Sequence, residues 1–68
     1  MQTGNYRHFK GGLYEVLGVA RHSETEEELV VYKNHQGHLW VRPKAMFLET
    51  VTHHGREVPR FAYLGPGD

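Results

Sequence analysis

Arg21, His22, Ser23 and Glu24 set a guanidinium, an imidazole, a hydroxyl and a carboxylate side by side. An apolar run, Leu13 to Ala20, leads into them, and a second, Leu29 to Lys33, follows a few residues later. Arginine offers a planar fork of donors to phosphate or carboxylate, histidine a titratable donor and serine a hydroxyl. The set therefore suits an anionic ligand. It suits a Ser-His-acid nucleophile poorly. Such a triad is a spatial arrangement in which the acid orients the far side of the imidazole, and adjacent strand residues point to opposite faces. The structural alternative is a plain connection, with Ser23 capping a turn and Arg21 paired to a nearby glutamate.

Two further stretches carry recognition chemistry. Tyr6-Arg7-His8-Phe9-Lys10 interleaves rings with cations, a pattern that can stack a base and neutralise phosphate. In strand alternation His8 and Lys10 share a face with Tyr6, and Arg7 shares one with Phe9. The ordinary alternative is a strand with rings inside and charges in water. Trp40 and Arg42 share a face in Leu39-Trp40-Val41-Arg42-Pro43. With Leu39 and Val41 in the core, Trp40 is partly exposed beside an arginine, a pairing common at binding hot spots. Tyr32 joins that surface if residues 28–33 pair with 39–42. His35 with His38, and His53 with His54, sit in turn-like segments without cysteine, so no metal site is expected; structural zinc wants three or four ligands on rigid elements. Glu24, Glu26, Glu27 and Glu28 form an acidic block, read as a solvated turn.

Composition narrows the classes. Eight Lys and Arg balance eight Asp and Glu, so the basic footprint of a nonspecific nucleic-acid binder is missing. No cysteine is present, which excludes disulfides and suits a cytoplasmic protein. No apolar run approaches the roughly 20 residues of a membrane span. Met1 to Asn5 lacks the basic start and apolar core of a signal peptide. No cofactor motif occurs; the glycine pairs lack phosphate-loop spacing.

The elements that must position these groups are short. Strands are expected over Tyr6 to Phe9, Leu13 to Ala20 (with Gly18 at a bulge or bend), Glu28 to Lys33, Leu39 to Arg42, Leu48 to Val51 and Val58 to Leu64. Asn34 to His38 and Thr52 to Arg56 are turns. Single helical turns are expected at Ser23 to Glu28, from its capping-box spacing, and at Pro43 to Phe47. The 68 residues allow one domain, residues 6–64, between flexible ends 1–5 and 65–68. The fold class is all-β: a small SH3-like barrel of five or six short antiparallel strands with one or two helical turns. Its expected core is Phe9, Leu13, Val16, Leu17, Val19, Leu29, Val31, Leu39, Val41, Met46, Phe47, Leu48, Val51, Phe61 and Leu64.

Three blocks together resemble one family. They are Tyr6-Arg7-His8-Phe9-Lys10-Gly11, then Tyr14 through Thr25, then Trp40-Val41-Arg42-Pro43 with Met46-Phe47. The chain, from about Tyr6 to Tyr63, resembles the bacterial domain-of-unknown-function family 1653. The resemblance implies a compact bacterial domain able to stand alone. It transfers no activity and no catalytic residue.

The leading expectation is a non-catalytic binding module for a phosphate-bearing ligand, RNA or a nucleotide, through Arg7, His8, Arg21, His22, Ser23, Trp40 and Arg42. The alternative is a protein-interaction domain using Trp40, Tyr32 and the acidic loop. An enzyme with His22 as general acid or base ranks last, because a barrel this small fills its interior with its own side chains. No cofactor is expected, and the chain is a monomer or a homodimer.

Overall fold

The computed structural model describes residues 1–67. Seven strands and one helical turn follow in order: β1 (Gly4–His8), β2 (Leu13–Arg21), β3 (Glu28–Asn34), β4 (Leu39–Pro43), α1 (Lys44–Phe47), β5 (Thr50–His53), β6 (Arg56–Pro59) and β7 (Phe61–Gly65). β-Branched and aromatic residues fill β3 and β4, which favours the pleated conformation. The β3–β4 turn is built by Asn34, whose Oδ1 accepts the backbone N–H of Gln36 and of His38, each at 3.0 Å. Between β5 and β6, His54 and Gly55 both take positive φ, 53° and 76°. Two such residues make the tight loop whose twist matches a hairpin. Pro43 keeps the chain extended as it leaves β4, and α1 starts at the next residue.

The fold is all-β, in short antiparallel strands, as the sequence predicts; among the described residues β4 and β7 do not pair, so the expected SH3-like barrel is a curled sheet that is not closed by hydrogen bonds. One antiparallel sheet runs β4-β3-β2-β1-β7, and β5-β6 forms a separate hairpin. Strand number and bounds differ from expectation. The stretch Val58 to Leu64 is cut in two at Arg60, whose N–H reaches the Glu49 carbonyl (3.0 Å) and whose carbonyl accepts the Phe9 N–H (2.9 Å). β1 begins at Gly4 and β7 runs to Gly65, so parts of the expected flexible ends are paired strand. Ser23 to Glu28 holds a single α-turn, closed by the Glu26 N–H on the His22 carbonyl at 2.9 Å and not continued, since Glu26 takes φ 62°. The shift expected near Gly18 is a bulge at Leu17, between the Val16–Tyr32 and Gly18–Val31 pairs.

The sheet curls strongly. Four strand spacings would separate the axes of β4 and β7 by about 19 Å if it were flat. Instead the Arg42 guanidinium of β4 lies 5.8 Å from the Phe61 ring of β7. Inside the curl sit Tyr6, Val16, Val30, Tyr32, Phe47 and Phe61, with Tyr14 packed against them. Phe47, from α1, stacks flat on Phe61 with centroids 4.0 Å apart.

This core corrects the expected one. Val16, Phe47 and Phe61 are inside, but Leu13, Leu17, Val19, Leu39, Val41, Met46, Leu48 and Leu64 are exposed. In β4 the facing is reversed: Trp40 and Arg42 lie level with buried Tyr32 and Val30, while Leu39 and Val41 point away, 65% and 60% exposed. Both faces of β2, β3 and β4 carry apolar residues, so alternation could not select between them. The rings decided it, because aromatic residues bury the largest area per side chain.

Candidate functional site

The site grows from Phe61. Its Cα partner on β1 is His8, which places the imidazole beside the ring, edge-on, at 4.9 Å between centroids. Arg42 comes over the same ring from β4. Arg60, one residue before Phe61, holds Glu49 through Nη2 and Oε1 at 2.9 Å. Lys10 stands 5.8 Å above the Phe9 ring, and Phe9 lies 4.6 Å from His8. Three permanent cations and one imidazole thus gather around two phenyl rings, with one carboxylate, Glu49, bonded among them. Trp40, half exposed, shares the face of β4 with Arg42.

Two features mark this cluster electrically. The Nε atoms of Arg42 and Arg60 are buried and have no acceptor among the described residues. The His8 imidazole is held below its ordinary value of 6.5, first by burial and then by Arg60, Arg42 and Lys10. Its Nδ1 accepts the Lys10 backbone N–H at 3.1 Å. The neutral ring therefore carries its proton on Nε2.

The residues singled out by sequence fall into three groups. His8, Arg42 and Trp40 share the inner side of the sheet, and His8 and Arg42 flank one ring. Arg7 lies on the other face of β1, level with Leu13 and Ala62. Arg21, His22 and Ser23 stand exposed at the β2–β3 turn, and the first two are engaged with the turn itself. Arg21 pairs with Glu26 at 3.3 Å, and His22 Nδ1 accepts the N–H of Glu24 (3.1 Å) and of Thr25 (3.3 Å). His22, not Ser23, caps this turn, and among the described residues no carboxylate or hydroxyl bonds its ring. Tyr32 is buried in the core, so the interaction surface drawn through Trp40, Tyr32 and the acidic loop lacks its tyrosine. Sequence reasoning missed Arg60. Its signal was an arginine beside a core aromatic in the last strand, the same adjacency as Arg7-His8-Phe9.

Among the described residues, no group of three or more His, Asp or Glu is placed to hold a metal ion. No helix there is long and apolar enough to cross a membrane.

A crystal structure of a family 1653 protein from Bordetella bronchiseptica is similar to this chain, with a TM-score of 0.90 and 38% identity. The similarity covers 100% of this chain and 92% of that one. No curated protein matches. Residues 4–63 match the model of the family described as "protein of unknown function (DUF1653)". That span holds every strand down to the middle of β7 and every residue of the cationic cluster, and the chain accordingly belongs to the domain-of-unknown-function family 1653.

Proposed function

We propose that this protein is a cytoplasmic, non-catalytic binding module that takes a phosphate-bearing ligand, a nucleotide or RNA, at the His8–Arg42–Arg60 cluster. The observation that carries the reading is the pair of buried, unpartnered Nε groups. A buried donor without an acceptor costs about 1–3 kcal/mol, and an outward turn of either guanidinium would bring its Nε onto a phosphate oxygen. Arginine at such a place offers a bidentate fork. Trp40 adds a flat, half-exposed ring on which a base can stack. In this reading the Arg21-His22-Ser23 turn lies outside the site, since Arg21 is engaged by Glu26 and His22 Nδ1 by two backbone N–H groups.

The test is titration of inorganic phosphate, a nucleoside monophosphate and a short oligoribonucleotide at low salt, followed by calorimetry and amide chemical shifts. Expected are shifts centred on His8, Arg42 and Arg60, affinity that falls with salt, and at least a tenfold loss in Arg42→Gln. Arg21→Ala should bind like the wild type. Absence of binding to all three ligands at millimolar concentration would end this reading.

A further inference from the structure

The cationic cluster lies on a seam. β4 and β7 stand at opposite ends of the five-stranded sheet, and the curl brings them together. Arg42 comes to the seam from β4, and Arg60 from the junction of β6 and β7. Beyond each arginine the surface turns aromatic or apolar. On the β4 side stands Trp40, on the same face as Arg42 and 50% exposed. On the β1 side the rings of His8, Phe9 and His53 follow one another, with centroids 4.6 and 5.3 Å apart.

These rings lead into a slot of about 290 Å³ between the end of β1 and the β5–β6 hairpin. Phe9, Val58, Pro59 and Ala62 give it an apolar lining, and His53 is among its walls. Ligand cavities begin at about 300 Å³, so the slot has room for one flat ring system and little more. Arg7, exposed and level with Ala62, borders the slot on the outer face of the sheet. Among the described residues Arg7, Lys10 and Arg42 make no ion pair, whereas Arg60 holds Glu49. The charge of the whole chain is balanced, but around the seam cations outnumber carboxylates.

We propose, on the basis of the phosphate site above, that the ligand is a single-stranded polynucleotide and not a free nucleotide, bound over two successive residues. One phosphodiester sits at Arg42 and Arg60. The base on one side of it stacks on Trp40, and the base on the other side enters the slot. The next phosphate meets Arg7. Such a ligand repeats a charge along its backbone and a π-face along its bases, and surfaces that bind it alternate cations with rings in the same way. A free nucleotide fills the cluster and only one of the two ring sites. Stacking against carbon and imidazole tolerates any base, so little sequence preference is expected.

Calorimetry at low salt with UMP, the dinucleoside monophosphate UpU, tetrauridylate and tetrathymidylate is the test. UpU carries less charge than UMP, so charge alone would make it the weaker ligand. Its second base should instead make it at least about fivefold tighter. Trp40→Ala, and Ala62→Leu to fill the slot, should each bring UpU down to the level of UMP, with both variants folded by circular dichroism. Tetrauridylate should lose affinity with salt at a logarithmic slope of about −1.4, the value for two phosphate contacts on a single strand, and Arg7→Gln should reduce that slope by about 0.7. Tighter binding of either tetramer than of UMP supports the proposal, and the stronger of the two names the sugar. If UpU binds no better than UMP, or its gain survives both Trp40→Ala and Ala62→Leu, the proposal falls while the phosphate site stands. If none of the four binds, the phosphate site falls and the proposal with it.

Discussion

His8 shows how a side chain takes its properties from its neighbours. Burial and the positive charges of Arg60, Arg42 and Lys10 all disfavour its charged form. The folded protein therefore binds the proton less readily than the unfolded chain does. As pH falls below the ordinary imidazole value of 6.5 toward the lower folded one, the unfolded state gains protons first and stability drops. Urea midpoints for wild type and His8→Gln between about pH 7.5 and pH 5 should diverge, with the wild type losing more. Parallel curves would mean that His8 does not titrate against folding. An anion on the cluster reverses the balance, so phosphate should blunt the wild-type loss. His22 illustrates the opposite use of the same ring. Its Nδ1 takes two backbone N–H groups as an asparagine carboxamide would, which makes it a piece of the turn.

At the scale of elements, the four residues of α1 matter through one side chain. Phe47 is buried and touches Tyr6, Tyr32 and Phe61 with its ring. Removing a buried phenyl costs about 3–5 kcal/mol, against roughly 3–10 kcal/mol expected for a whole 68-residue chain. Phe47→Ala should abolish the cooperative thermal transition, while Phe47→Leu should keep it at a lower midpoint. The helical turn itself was legible in the sequence, from Pro43 ahead of Lys44-Ala45-Met46-Phe47. So were most strands, both turns and the all-β class, because turn residues and β-branched runs are local signals. Facing was not. Leu39 and Val41 look like core beside Trp40 and Arg42, yet the reverse holds, since facing depends on which rings meet across the curl. The site was half legible for the same reason. His8 and Arg42 lie far apart in sequence, and only the curl brings them to Phe61. Arg21-His22-Ser23-Glu24 draws notice by density, and two of its side chains turn out to serve the turn itself, Arg21 through Glu26 and His22 through its Nδ1.

The described residues bury six side chains in one core, all apolar or aromatic. The strand order carries a separate consequence for synthesis. β7 is last in sequence but lies beside β1, and its Phe61 is the ring on which His8, Tyr14, Tyr32 and Phe47 all pack. A chain growing from its N-terminus thus completes β1 to β4 and α1 before the ring that most of their aromatic side chains pack on exists. Pairing of such distant segments is slow compared with local contacts. Folding must therefore wait for the ribosome to deliver the last strand, and until then the apolar strands depend on whatever shields a nascent chain.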